Sequence, residues 1–209
     1  MPAYQAPLQP PPPPAKSGLP GWAIALIVIF AVAPVVLGIF AALAIYGVRK
    51  YVTAAKTAEA KAVVGAISRD AVAAYEREPF EREGSPGRAP SLAHALCKSA
   101  IPVPAVVPAG KKYLPSTAEG ADYQTGNEKV GWRCLKFSMT APTYYQYRYT
   151  QGSGYELPAL GAGPEGFEIV AHGDLDANGV KATFARIGQI RNNNSVVLAT
   201  ELYIENEFE

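Results

Sequence analysis

The sequence predicts an α+β protein in which a long N-terminal helix, with a membrane-spanning first half, packs on a four- to five-stranded antiparallel sheet. Three observations lead to this prediction. An apolar run without any charge covers residues 21–48. A segment rich in Ala, Lys and Glu, and free of proline, follows over residues 49–78. After residue 130, several stretches alternate with a period of two, as half-buried strands do.

The run from Gly21 to Val48 has the length and composition of a transmembrane helix. At about 1.5 Å per residue it is longer than the roughly 30 Å hydrocarbon core of a bilayer. Trp22 at one end and Tyr46 with Tyr51 at the other suit the two membrane interfaces. Pro34 lies within the run, and membrane helices tolerate proline, usually with a kink. We therefore predict a membrane anchor.

A cleaved signal peptide is the alternative interpretation of this run. Ala42-Leu43-Ala44 has the small-x-small form of a cleavage site. The apolar stretch before it is longer than the apolar region of a signal peptide, which favours an uncleaved anchor.

The residues around the run leave its orientation open. Lys16 precedes it, whereas Arg49, Lys50, Lys56 and Lys61 follow it. The positive-inside rule would therefore place the C-terminal part in the cytoplasm. The cysteine pair and the N-terminal position of the anchor favour the opposite orientation.

The N-terminal tail, residues 1–20, contains an unbroken run of prolines from Pro10 to Pro14. This composition favours a polyproline II conformation and cannot bury a core. We predict a flexible or semi-rigid tail, and docking to an SH3-like or WW-like partner is the alternative.

Residues 49–78 are predicted to continue the helix as an amphipathic segment. Its apolar stripe has spacings near three and four and comprises Val52, Ala55, Ala62, Val63, Ala66, Ile67 and Ala73. Its polar side holds Lys56, Glu59, Arg69, Asp70 and Glu76. The stripe needs a partner surface, and the C-terminal domain is the candidate.

Residues 79–209 form the predicted β-rich domain, called the head below. It begins with loops and a short helical candidate, Ser91 to Ser99. The predicted strands are residues 132–139, 143–150, 166–173, 179–190 and 196–204. Short connections between them suit an antiparallel meander.

The head contains both cysteines, Cys97 and Cys134. Their spacing, without nearby histidine pairs, does not match a zinc site. A disulfide is expected in an oxidising compartment, and two buried free thiols are the alternative.

Asp174, Asp176, Asn178 and Gly179 resemble the first half of a calcium-binding loop. Ala185 stands where such a loop requires a bidentate Glu. The favoured interpretation is a tight turn between two strands, and a calcium ion completed by other ligands is the minority hypothesis.

Composition and motifs argue against several functional classes. The chain has 19 basic and 18 acidic residues, a net charge of +1, so nucleic acid is a poor partner prediction. His94 and His172 form no helix-spaced ligand pair, and no nucleophile elbow, P-loop or dinucleotide motif occurs. We predict neither an enzyme nor a cofactor, and no small-molecule substrate is evident.

Two groups of motifs give the chain a family resemblance. Residues 38–67 match in one register through Gly38, Ala41, Ala42, Ala44 and Ile45, then Lys50-Tyr51, Ala58-Glu59-Ala60-Lys61 and Gly65-Ala66-Ile67. In the head, the matching residues are Gly131, Trp132, Cys134 to Phe137, Gly173 to Asp176, and Asn206-Glu207. The chain thereby resembles type IV pilins and type II secretion pseudopilins over most of residues 24–209.

The resemblance implies a pilin-like fold, with a four-stranded sheet on the second half of the helix and a cysteine pair that often staples the head. It implies a single-pass protein of the bacterial inner membrane, with a cytoplasmic tail and a periplasmic head. It also implies that related pilin subunits associate through the helix. The expected role is a structural subunit of a pilus or secretion pseudopilus.

The sequence departs from the family pattern where pilins are processed and assembled. In the register of Gly38, Ile24 replaces the glycine of the cleavage site and Ile29 replaces the glutamate that follows it. Tyr46 stands where the helix-kinking proline is usual. The alternative function is therefore a non-assembling, membrane-anchored module that binds a periplasmic partner through its head and a cytoplasmic one through its tail.

Overall fold

A computed structural model of the chain describes residues 18–77, 94–191 and 195–209. The chain divides into two compact units between Arg49 and Lys50, and each is described by itself. Residues 1–17 of the Pro-rich tail, and residues 78–93, where the first loop of the head is predicted, lie outside the described residues.

The long helix α1 runs from Gly21 to Glu76, which confirms the predicted N-terminal helix. Its first turn is closed by Pro20, whose carbonyl oxygen accepts hydrogen bonds from the amides of Ala23 and Ile24 at 2.8 and 3.3 Å. Pro34 is accommodated inside the helix. The predicted end, Glu78, lies outside the described residues.

In the second unit, α1 buries one stripe of side chains, consisting of Thr57, Ala60, Val64, Ile67, Ser68, Ala71 and Tyr75. The buried side of the helix is therefore rotated around the helix axis from the side that was predicted. Ile67 is buried and Val63 and Ala66 are partly buried, but Val52, Ala55, Ala62 and Ala73 are exposed. Alanine is common on every side of this segment, so hydropathy alone cannot select the packed face.

The sheet has five antiparallel strands: β1 Tyr145–Gln151, β2 Gly166–Gly173, β3 Ala182–Arg191, β4 Ser195–Leu198 and β5 Tyr203–Glu205. The order is β1-β2-β3-β4, and β5 also pairs with β3. β4 lies opposite Gly188–Arg191 and β5 opposite Thr183–Ala185. The single strand predicted over residues 196–204 is thus two short strands along one edge of β3.

Two local predictions were wrong. Residues 132–139 do not form a strand, because a short helix, α2, spans Gly131–Leu135. Gly131 and Lys136, on either side of Trp132, have positive φ angles of 76° and 59°, which an extended strand does not allow. The described part of the helical candidate Ser91–Ser99 is not helical, and Lys98 instead forms a parallel bridge with Val130.

The inner face of the sheet is aromatic and packs on α1. Tyr145, Tyr147 and Tyr149 of β1 are fully buried and share a core with the stripe of α1. Phe167, Ile169 and Ala171 of β2 and Phe184 of β3 complete this core. Small residues of α1, among them Ala60 and Ala71, lie in the same core as these large rings.

The outer edge of β1 is covered by the segment that follows Cys97. The amide of Ala100 donates to the Tyr149 carbonyl at 3.0 Å, and Val103 exchanges two backbone hydrogen bonds with Tyr147. Tyr113 exchanges two more with Thr143, at 2.8 Å each. This edge is therefore closed to further strand pairing along most of its length.

Candidate functional site

The apolar segment, residues 21–48, is the most prominent candidate site. It provides one helix near the N-terminus that is long and apolar enough to cross a membrane. None of the residues in its most apolar window is buried, and Phe30, Leu37 and Phe40 are more than 60% exposed. A surface of this size without polar groups needs an apolar environment, and a bilayer or other apolar helices would supply one.

The residues that carry the pilin resemblance in this segment all lie on its exposed surface: Gly38, Ala41, Ala42, Ala44 and Ile45. A Cβ atom on Gly38 would meet no other atom within 4 Å. Small residues at such spacing let a second helix approach closely.

Three further residues of the resemblance lie on α1 in the second unit. Tyr51 is 77% exposed. Lys61 forms an ion pair with Glu207, with 2.6 Å between Nζ and Oε1. Glu59 is half-buried. Burial is the main reason why the pKa values of Tyr123, Tyr145 and Tyr147 are raised, and the negative charge of Glu59 adds to this effect.

The predicted disulfide between Cys97 and Cys134 is confirmed, and the alternative of two free thiols is not. Cys134 lies in α2, and Cys97 lies directly before the segment that covers β1. The two Cα atoms are 5.8 Å apart and both side chains are buried. The bond joins α2 to the edge of the sheet, where Tyr149 also donates its hydroxyl to the Cys97 carbonyl at 3.0 Å.

The hydrogen bonds of Asp174, Asp176 and Asn178 are those of a turn. Asp174 Oδ1 and Oδ2 accept the amides of Asn178 and Gly179 at 3.2 and 3.1 Å. Asp176 Oδ1 accepts the Asn178 amide at 3.2 Å, and Gly179 has a φ of 89°. Among the described residues, no group of three or more His, Cys, Asp or Glu side chains could hold a metal ion.

A polar network that was not predicted from the sequence lies on the outer face of the sheet and is formed by Arg148, Glu156, His172 and Thr183. Glu156 Oε1 lies 2.5 Å from Arg148 Nη1, and its Oε2 lies 2.6 Å from His172 Nε2. His172 Nδ1 is 3.2 Å from Thr183 Oγ1. The hydrogen bond from His172 is the largest of the effects that lower the pKa of Glu156 to about 2.

A second carboxylate fixes the same loop. Glu168 of β2 is 1% exposed, and its two oxygens accept the amides of Glu156 and Leu157 at 2.8 and 2.9 Å. The loop between β1 and β2 is therefore held over the outer face of the sheet by two carboxylates. Only the register of β1, β2 and β3 places Arg148, His172 and Thr183 near one another, so no sequence motif could reveal the network.

The chemistry of this network is that of a structural contact. A hydroxyl, an imidazole and a carboxylate in series can activate a nucleophile. Here, however, the Thr183 side chain is 8% exposed and Glu156 is also paired with Arg148. We therefore assign the network to holding the loop.

No family model matches the chain, and no curated protein or solved structure is significantly similar to it. The resemblance to pilins therefore stays a prediction from the sequence motifs.

Proposed function

We propose that this chain is a structural, pilin-like subunit of a type IV pilus or type II secretion pseudopilus, anchored by a single membrane pass. The observation that carries the proposal is the composition of α1. Its first part exposes an uninterrupted apolar surface, and its second part packs small residues on an antiparallel sheet. The exposed small residues from Gly38 to Ala44 would favour lateral association with the helices of related subunits.

The alternative is a membrane-anchored module that does not assemble, and a specific observation favours it. Ile24 and Ile29 stand where processing and assembly residues are expected in a pilin, and no carboxylate occurs in the chain before Glu59. The head would then bind a periplasmic partner, and the Pro-rich tail a cytoplasmic one.

The proposed location is a bacterial inner membrane, with the tail in the cytoplasm and the head in the periplasm. The disulfide supports this orientation, because such bonds persist in oxidising compartments. A gel-shift assay with a thiol-reactive polymer on intact cells tests it. Oxidised Cys97 and Cys134 at steady state are expected for a periplasmic head, and two reactive thiols would contradict the orientation.

Membrane anchoring is tested by alkaline extraction of membranes that contain the full chain. Leu37→Lys together with Phe40→Lys should release the protein, because each lysine at the centre of a membrane helix costs about 3 kcal/mol. The matched control is Ile101→Lys together with Val106→Lys, because both residues are exposed apolar residues of the head. Release of both variants, or of neither, would contradict the assignment of the anchor.

Assembly is tested separately from anchoring. Mass spectrometry of the mature N-terminus and recovery of the chain in sheared surface filaments distinguish the two functions. Cleavage near Gly21 or Ile24, with the chain in filaments, is expected for the structural subunit. An intact Met1 together with absence from filaments would favour the non-assembling module.

A further inference from the structure

Two lysines contact one tyrosine ring on the surface of the second unit. Lys56 Nζ of α1 lies 4.2 Å from the centroid of the Tyr144 ring, and Lys112 Nζ lies 5.1 Å from the same centroid. Lys111 is the neighbour of Lys112 and is exposed. We call Lys56, Lys111, Lys112 and Tyr144 the basic patch.

Backbone pairing fixes the position of these lysines. Tyr113 exchanges two backbone hydrogen bonds with Thr143 in an antiparallel bridge. This bridge holds their sequence neighbours, Lys112 and Tyr144, close to each other. On the other side of the lysines, the Gly110 amide donates to the Asp174 carbonyl at 2.7 Å. The segment that carries Lys111 and Lys112 is thus attached to the head at both ends.

Neither Lys56 nor Lys112 has an ion pair among the described residues. Residues 100–118 contain no Asp or Glu, and Glu59, which follows Lys56 by three residues on α1, forms no ion pair with it. Asp122, which is close to Tyr113, already accepts hydrogen bonds from the Tyr113 hydroxyl and the Ser116 amide at 2.6 Å each. Lys56 and Lys112 share one ring, so their charges repel each other, and a bound anion would relieve this repulsion.

One residue of the basic patch, Lys56, also lies close to the apolar segment in the sequence, because it follows Val48 by eight residues. Leu114, two residues after Lys112, is 65% exposed and adds an apolar side chain of the kind that enters a membrane interface.

We propose that the basic patch binds the surface of the bilayer that holds the apolar segment, through the phosphates of anionic phospholipids. The inference rests on the proposed membrane anchoring and adds a second contact between protein and membrane. Cations close to a membrane-spanning segment are attracted by anionic headgroups. The exposed Leu114 favours a lipid surface over free phosphate, which would have no contact for an apolar side chain.

The test uses the full chain in vesicles of phosphatidylcholine alone or of an equimolar mixture with phosphatidylglycerol. Acylation of each lysine by a water-soluble reagent is followed by mass spectrometry, with Lys129 as the internal reference. In the anionic vesicles, Lys56, Lys111 and Lys112 should react about fivefold more slowly. Raising the ionic strength should remove the difference, because salt screens exposed charges.

A variant pair makes the test specific. Lys56→Gln with Lys112→Gln should remove most of the lipid-dependent protection of Lys111, whereas Lys98→Gln with Lys129→Gln should leave it unchanged. Circular dichroism checks that both variants keep the fold of the parent.

The outcomes separate this inference from the proposed anchoring. If the parent is recovered in both kinds of vesicle but its lysines react equally fast in each, the lipid contact is wrong and the anchor stands. If the protection of the lysines from acylation depends on the amount of protein in the vesicles and not on the lipid charge, the basic patch contacts a second copy of the chain. That result would overturn the inference. Failure of the parent to enter either vesicle would overturn both proposals.

Discussion

The aromatic ring of Tyr145 occupies the space above Gly173, its partner across the β1–β2 ladder. A Cβ atom at Gly173 would overlap the ring atoms of Tyr145, and a Cβ atom at Gly188 of β3 would overlap the ring of Phe167 in the same manner. Both rings face α1 in the core of the head. Glycine at these two strand positions thus provides the room that a sheet with large aromatic side chains requires.

Gly173→Ala is expected to lower the free energy of unfolding by about 1–3 kcal/mol, because the new methyl group forces the Tyr145 ring out of its position. Urea denaturation of the full chain in detergent measures the effect. Gly65→Ala is the matched control, because a Cβ there meets only Arg69 Nη1 at an ordinary 3.5 Å. In the helix this change should stabilise by about 0.5–1 kcal/mol. Effects of the same sign at both positions would contradict the role of the ring.

Loss of the disulfide should destabilise the head strongly. Cys97 and Cys134 are 37 residues apart, and closing a loop of that length in the unfolded chain contributes about 4 kcal/mol. The double change to Ser should lower the urea midpoint accordingly. A phosphine reductant should destabilise the parent and leave the double variant unaffected. Equal sensitivity of the two proteins to the reductant would show that the effect arises elsewhere.

The ion pairs of Glu156 predict a defined dependence of stability on pH. The pKa of Glu156 falls from an ordinary 4.5 to about 2 in the folded protein. The contribution of the ionised Glu156 side chain to the free energy of unfolding is therefore complete above pH 4.5, and it is lost as the pH falls towards 2. Because the side chain is 31% exposed, we expect about 1 kcal/mol rather than the larger value that the shift alone would imply.

Glu156→Gln tests this dependence. The difference in unfolding free energy between parent and variant should be largest near neutral pH and should shrink in acid. Glu165→Gln, an exposed change in the same loop, corrects for the titration of other carboxyl groups. A difference that stays constant with pH would contradict the assignment.

The ion pair between Lys61 and Glu207 should contribute little to stability. Both side chains are more than 30% exposed, and exposed pairs contribute about 0.2–1 kcal/mol. A double-mutant cycle with Lys61→Ala and Glu207→Ala measures the coupling directly. Exchanging the two residues should restore most of it. A coupling well above this range would indicate that the C-terminal residues are held on α1 by this contact alone.

The parts of the fold that follow from local sequence patterns could be predicted. The apolar segment and three of the strands each produce a signal within a short stretch of chain, and a chain with two cysteines leaves one possible disulfide pairing within it. The strand predicted over residues 132–139 was wrong, because the short helix α2 begins at Gly131 with a positive φ and is followed by Lys136, which also has a positive φ. Alternation alone does not report such angles.

The parts that depend on long-range register could not be predicted. The packed face of α1 shares a core with Tyr145, Tyr147 and Tyr149 of β1, and the hydropathy of the helix alone does not single this face out. The network of Glu156 and His172 exists only because three strands are aligned. The basic patch likewise joins residues that are far apart in the sequence.

The burial of Trp132 makes the two units of the chain optically separable. Its indole is fully buried against the rings of Tyr123 and Phe137, and its Nε1 donates to the Ile101 carbonyl at 2.9 Å. The chain has only one other tryptophan, Trp22, which begins the apolar segment. Fluorescence after Trp22→Phe would therefore monitor the head alone. After Trp132→Phe, quenchers placed at known depths in a bilayer would locate the start of the helix.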